Sequence, residues 1–228
     1  MTGVMYLRLK KLKMVECPIC KWRGKEFLRF SKTGRKNAKC PRCRSAERHR
    51  LYYLYLKKNL NRSKSLTFLH IAPEKSITSF IKTFKNISYL SADLDPANAM
   101  VSEDITNTSF EDDSFDIIFC SHVLEHVDDD RKAMRELRRI LKPSGFAMLQ
   151  VPIKNIEETF EDFSVTTPEE RERVFGQKDH VRIYGKDYVD RLIESGFKVK
   201  VDRFVDTLSD EAVKKYVLSK ESIYICTK

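Results

Sequence analysis

The chain has 228 residues, with 43 Lys and Arg against 33 Asp and Glu, a net charge of +10. That length suits one full domain, or one plus a small module. Hydrophobic residues make up 41%, including 14 Phe and 9 Tyr, which excludes a wholly disordered chain, and no apolar run nears the ~18 residues a spanning helix needs, which excludes an integral membrane protein built of helices.

The opening residues lack a signal peptide's apolar run and cleavage site, so the expected compartment is the cytoplasm. There, six cysteines read as thiols or metal ligands rather than disulfides. The charge is uneven. Residues 1–65 hold 20 Lys and Arg and three acids, Glu16, Glu26 and Glu47, or +17; the remainder carries −7. A basic segment precedes a mildly acidic domain. Such density marks a solvated arm or a surface for an anionic partner, RNA or an acidic polymer.

Within that segment, Cys17-Pro-Ile-Cys20 and Cys40-Pro-Arg-Cys43 are two C-x2-C knuckles separated by 19 residues. Two cysteines three apart can place both sulfurs on one ion, and two knuckles complete a tetrahedron. Residues 1–44 therefore resemble a zinc ribbon, with a hairpin between the knuckles and a structural zinc that leaves no open position. Too few apolar residues lie here to hold a fold without metal. Residues 45–65 follow as a linking helix, with Leu51, Leu54 and Tyr55 on one face. Arg44, Arg48, His49 and Arg50 face a substrate phosphate or water.

From residue 66 the pattern alternates. Leu66–Ala72 reads as a buried strand, Pro73–Phe84 as a helix, and Ile87–Asp93 as a second strand. Phe115–Cys120 is another strand. A helix opens at Asp128–Asp130 and is stopped by Pro143-Ser144-Gly145, and Phe146–Val151 is a strand again. Residues 154–184 interrupt the rhythm as a lid-like insertion. Asp187–Ser195 is a helix, and Phe197–Val205 with Ser222–Cys226 makes a closing strand pair. This order argues a parallel sheet with helices on both faces, whose ligands sit beyond the carboxyl ends of the strands. Cys120 and Cys226 lie in apolar runs and read as core thiols.

One block is specific: Asp104-Ile105, Ser114-Phe115-Asp116-Ile117-Ile118, Ser121-His122-Val123-Leu124-Glu125-His126-Val127, then Glu136 to Gly145. On these residues the chain from 66 to 228 resembles the class I S-adenosylmethionine-dependent methyltransferases, in their small-molecule branch. The resemblance implies a Rossmann-like, seven-stranded, mostly parallel sheet. It implies that Asp93 accepts from the ribose hydroxyls, Asp104 from the adenine amino group, and that Ile105 flanks the ring, with Ser121 a further cofactor contact. Asp93 and Asp104 also suit loop capping. One departure stands out. The family's first strand ends in an acid and a Gly-rich turn; here the run is His70-Ile71-Ala72-Pro73-Glu74. His70, Ala72 and Glu74 are the expected cofactor contacts in a modified turn, with Glu74 restoring the charge and available to the cofactor's ammonium group.

Methyl transfer needs alignment and, for an oxygen acceptor, a base near neutral pKa. His122 and His180 are the candidates, with His126 a weaker one. Arg182 and Tyr184 either bind an acidic or hydroxylated acceptor or tie the insertion to the sheet. Three functions follow: methylation, at oxygen, of a small-molecule or glycosidic acceptor; RNA methylation with the basic module docking RNA; or a non-catalytic binding protein on the same fold. The Ser-His-Val after Cys120 is not the Asn/Asp-Pro-Pro-aromatic turn expected for base-amine methylation.

Overall fold

The structure, a computed structural model, describes residues 14–30, 34–60 and 63–228. The opening residues 1–13, on which the leader reading rests, lie outside the described residues, as do 31–33 and 61–62 of the basic segment.

In chain order the elements are β1 (Val15–Glu16), β2 (Arg23–Gly24), α1 (Glu47–Asn59), β3 (Leu66–Ile71), α2 (Lys75–Ile81), β4 (Ile87–Asp93), β5 (Val101–Ser102), β6 (Phe115–Ser121), α3 (Asp130–Ile140), β7 (Leu141–Gln150), β8 (Phe160–Glu161), α4 (Pro168–Phe175), β9 (Arg182–Ile183), α5 (Tyr188–Glu194), β10 (Lys198–Asp202), α6 (Asp210–Tyr216) and β11 (Ile223–Thr227). Short 3-10 turns lie at Leu124–His126 and Phe204–Thr207. Among the described residues no helix is long and apolar enough to cross a membrane.

Two compact units result. One comprises the described residues up to Asn59 together with Val205–Glu221; the other comprises Leu60–Phe204 and Ser222–Lys228. Val205–Glu221, which the sequence reading places inside the 66–228 domain, therefore packs with the cysteine-bearing unit.

Arg50 explains why. Its side chain is wholly buried. One arm of the guanidinium donates to the carbonyls of Ala38 and Ser45, at 2.9 and 3.0 Å. The other groups donate to Tyr216 and Val217, at 2.7 and 2.8 Å. The guanidinium also lies over the Phe27 ring, 4.0 Å from its centroid. The carbonyl of Tyr216 is free to accept because α6 ends there, with Val217 in a left-handed conformation. Around the knuckles one core cluster joins Val15, Cys17, Phe27 and Cys40, with Trp22 and Val217 against it.

The second unit is a seven-stranded sheet in the order β10-β11-β7-β6-β3-β4-β5. β3 pairs in parallel with β4 and β6, β4 with β5, and β6 with β7; β11 runs antiparallel to both β7 and β10. The sheet is thus the expected mostly parallel one. The chain moves outward from β3 to β5, then returns to the other side of β3. That reversal opens a crevice at the carboxyl ends of β3 and β6. Alternation along the strands sends Leu69, Ile71, Ile118 and Cys120 to the core shared with Ala133, Met134, Leu137 and Ile140 of α3.

α3 begins where Asp129 accepts from the Lys132 amide. It ends at Ile140, earlier than Pro143-Ser144-Gly145 implied. Leu141 is already extended (φ −76°, ψ 134°) and pairs with Phe115. Proline disfavours helical geometry in the residue before it, so β7 runs through Pro143 with a register shift opposite Phe115–Ile117. The insertion is ordered by an antiparallel β8–β9 pair, with α4 between them.

Replacing Arg50 by Ala strands four buried carbonyls and removes a stacked guanidinium. This should cost about 3 kcal/mol or more in the first unit. Lys should not rescue it, because an ammonium lacks the planar fork. Denaturant unfolding followed by fluorescence of Trp22, the sole tryptophan, measures this directly.

Candidate active site and metal centre

The turn after β3 contains no glycine yet adopts the backbone a glycine would. Ala72 has φ +46°, and its amide donates to the Ala92 carbonyl at 2.9 Å. A left-handed alanine costs roughly 1–2 kcal/mol and is tolerated because its neighbours fix it. A cavity of about 680 Å³ opens beside this turn, lined by Ala72, Pro73, Thr78, Tyr89, Asp93 and Met100 among others.

His70 lies wholly buried behind the turn. Its Nε2 is 2.7 Å from Glu74 Oε2 and its Nδ1 3.1 Å from the Tyr89 hydroxyl, which is 2.9 Å from Thr78 Oγ1. With Nε2 protonated, every group in this chain is satisfied: Thr78 to Tyr89, Tyr89 to His70, His70 to Glu74. Burial pushes the Tyr89 phenol up, so it remains a donor. Both ring nitrogens of His70 are occupied, by Glu74 and Tyr89, and its ring packs 5.0 Å from that of Phe119. His70 thus positions Glu74.

Asp93 ends β4, with one oxygen accepting from the Asp95 amide at 2.9 Å; Asp104 does the same for Thr106 at 2.8 Å. Both carboxylates thus cap their loops, as the alternative reading held, and each keeps a second oxygen. The Glu103 amide donates to the Asp93 carbonyl at 3.0 Å, which holds the two loops together. Ile105 is buried in the core beneath them. Ser121 ends β6, and its buried hydroxyl has no hydrogen-bond partner among the described residues. The left-handed turn at Ala72 suits the amino-acid end of S-adenosylmethionine, and the Asp93 carboxylate on the cavity suits its ribose hydroxyls.

Beyond Ser121 the backbone turns left-handed again, at His122 (φ +57°). The structure gathers His122, His126 and His180 here around a residue the sequence reading did not single out, Glu125. His122 Nδ1 is 3.1 Å from Glu125 Oε1. The His126 and His180 rings stand edge to face, 4.7 Å apart. The Val181 amide donates to the Glu125 carbonyl at 3.0 Å, drawing the insertion onto the turn. Desolvation lowers the His180 pKa, keeping it neutral. The i,i+3 spacing of His122 and Glu125 in Ser-His-Val-Leu-Glu-His was the available signal.

Of the two roles open to Arg182 and Tyr184, the hydrogen bonds fill the structural one. Both are buried. Arg182 donates to the carbonyls of Leu124, Val127 and Asp128 and to Glu161. The Tyr184 hydroxyl donates to Asp130 at 2.7 Å, and Arg191 bridges Asp130 and Glu161. Burial works against the charged form of Asp130, but Arg191, Arg182 and the Tyr184 hydroxyl outweigh it and hold its carboxyl below the usual range. Four of the five Arg182 N–H groups and the Tyr184 hydroxyl are thus spent within the protein.

In the first unit the two knuckles are near copies. The first cysteine of each donates its amide five residues on, Cys17 to Trp22 at 2.8 Å and Cys40 to Ser45 at 2.9 Å. Each ends in a left-handed residue, Lys21 (φ 62°) and Arg44 (φ 61°). Sγ atoms of Cys17 and Cys43, and of Cys20 and Cys40, are 3.6 Å apart. A tetrahedral zinc with Zn–S near ~2.3 Å requires sulfurs about 3.8 Å apart, so the four thiols fit this ion. The hydrogen bond from Cys43 lowers the pKa of the Cys17 thiol. Cys120 and Cys226 are buried thiols pushed up by desolvation, inert core residues as expected.

Residues 68–149 match the family described as Methyltransferase domain. An uncharacterized protein of Methanocaldococcus jannaschii is 40% identical over 68 residues, 28% of this chain and 30% of that protein; the match spans less than a third of that relative's length. A SAM dependent methyltransferase from Archaeoglobus fulgidus superposes with a TM-score of 0.51 at 17% identity, over 82% of this chain and 96% of that one. The methyltransferase in a Haloferax volcanii complex with the Trm112 activator gives 0.51 at 14%, over 78% and 90%. These structures share the fold.

Two substitutions test the turn and the knuckles. Ala72→Gly should be neutral or stabilise by up to about 1 kcal/mol, whereas Ala72→Val should destabilise by about 1–3 kcal/mol; thermal melts of the full chain compare them. Cys20→Ser, or prolonged chelation, should unfold the first unit, read as a shift in Trp22 fluorescence.

Proposed function

We propose, from the match of residues 68–149 to the Methyltransferase domain family and the fold shared with a SAM dependent methyltransferase, that the protein methylates an oxygen of a small-molecule or glycosidic acceptor. The observation that carries this reading is the pair of left-handed residues, Ala72 and His122, at the ends of adjacent strands. One turn suits the cofactor, the other presents an imidazole to whatever the cofactor faces.

The cofactor supplies an electrophilic methyl group on a sulfonium. Asp93 holds the ribose through its second oxygen, a charge-assisted contact. Asp104 and Ile105 take the adenine. Glu74, oriented by His70, takes the ammonium group, and Ser121 donates or accepts near the amino-acid end. His122 has the features of a base. Its Nδ1 proton goes to the buried Glu125 carboxylate, which fixes the tautomer, and its Nε2 is buried and without a partner among the described residues. It accepts the proton of the acceptor hydroxyl as the methyl group transfers. His180 is the weaker candidate, because its Nε2 is already 2.9 Å from the Gln177 amide. The β8–α4–β9 insertion is tied to the turn after β6 through Val181 and Arg182, which favours a small acceptor at that end. The four-thiolate site holds zinc in a structural role.

A second reading is RNA methylation, favoured by the +17 on residues 1–65. RNA binding that weakens steeply with salt supports it, while a flat response or no binding near ~0.1 M salt removes it.

Calorimetric titration with S-adenosylmethionine is the direct test. Asp93→Ala should weaken binding by about 10–100-fold, the worth of a charge-assisted hydrogen bond. Glu74→Gln should weaken it by about tenfold; unchanged affinity removes Glu74 from the site. His122→Ala should leave affinity intact and lower kcat by about 10²–10⁴-fold. A wild-type chain that shows no affinity for S-adenosylmethionine would refute the transferase reading.

A further inference from the structure

We propose that Glu125, His126 and His180 form a second metal site, which takes a divalent first-row transition cation and leaves a coordination position open. The three offer one ligand atom each, and all three atoms lie within 4.8 Å of one another. Glu125 and His126 come from the 3-10 turn after β6, His180 from the strap leading into β9. The Val181–Glu125 hydrogen bond holds the two pieces together.

Glu125 is the second, independent pointer. It is 1% exposed. One carboxylate oxygen meets His122, while Oε2 is buried with no partner among the described residues. Leaving a buried carboxylate oxygen unmatched is costly, and a cation is the usual compensation. Arg182 makes no hydrogen bond to Oε2 among the described residues; its hydrogen bonds go to Leu124, Val127, Asp128 and Glu161.

The imidazoles are prepared as ligands. His126 Nδ1 lies 3.0 Å from the Asp179 carbonyl. Donation there leaves the Nε2 lone pair free, the outer-shell arrangement that orients metal-binding histidines. With the Gln177 side-chain amide oriented so that its oxygen accepts from His180 Nε2–H, at 2.9 Å, the Nδ1 lone pair is left for the metal.

Two imidazoles and one carboxylate suit zinc, iron, cobalt or manganese rather than calcium or magnesium, which prefer all-oxygen sites. Three protein ligands leave a position for water or substrate, unlike the closed four-thiolate site. The site stands whether or not the transferase reading holds. If it does, Glu125 would link the metal to His122, the base of that reading.

The full chain, purified without chelators, is saturated with Co2+, freed of excess, and its total metal counted while visible spectra are recorded. Wild type should hold two equivalents. Glu125→Gln and His126→Ala, each with unchanged circular dichroism, should hold one, or bind the second at least tenfold more weakly. The lost equivalent should carry no sulfur-to-cobalt charge-transfer band, which separates it from the cysteine site. His126 is only part-buried, so its variant serves if Glu125→Gln misfolds. Wild type saturating at one equivalent, variants that keep two, or a lost equivalent with the sulfur band would overturn the proposal.

Discussion

Phe68 to Ile71 pair in parallel with Ile117 to Cys120, and the chemistry of the second unit depends on where these two strands stop. Side by side and pointing the same way, they deliver Ala72 and His122 to one edge. Both residues leave their strands through left-handed backbone, so neither chain continues in the strand direction and a crevice opens between them. Backbone strain of this kind persists only where surrounding pairing over-determines it. Here β4 supplies the restraint on one side, through Ala92, and β7 on the other, through Gln150, whose carbonyl accepts from the His122 amide at 2.8 Å.

The carboxylates around the crevice are held in different ways. Glu74 is partly open and steered by a relay that begins at Thr78. Glu125 is sealed in and steered by a histidine. Below them, Asp130 and Glu161 meet two arginines and a tyrosine, an ion network that locks the insertion onto the turn after β6. The polar residues of segment 154–184 thus divide between anchoring and chemistry: Arg182 and Tyr184 anchor, while His180, between them and the turn, remains free of that network.

The strand order was legible because buried parallel strands read as short apolar runs, and Leu66–Ile71, Ile87–Asp93 and Phe115–Ser121 are such runs. The cysteine knuckles were legible because spacing alone constrains four sulfurs. Three things were not. β7 starts at Leu141 because the effect of Pro143 on its predecessor outweighs the stop signal of Pro-Ser-Gly. α4 carries a full capping box, Thr167 with Glu170, and closes at Gly176; Thr167-Pro168-Glu169-Glu170 announced it, but the charged run hid the helical face. Glu125 escaped notice because a glutamate in a short polar stretch looks solvated, and only the packing of Val181 and Leu124 around it makes it buried. Asp93 and Asp104 show the reverse: the sequence offered capping and ligation as alternatives, and the geometry leaves room for both at once.

The segment that completes the first unit is encoded far from it. Arg50 must wait for the carbonyl of Tyr216, 166 residues later. At ~5–20 residues per second of synthesis, that is a delay of roughly 8–30 s. Throughout it the knuckle cysteines are already outside the ribosome with part of their core missing. The module is therefore assembled last although it is translated first. A nascent chain of this protein must keep four thiols reduced, or already metallated, for the whole time its second unit is being made.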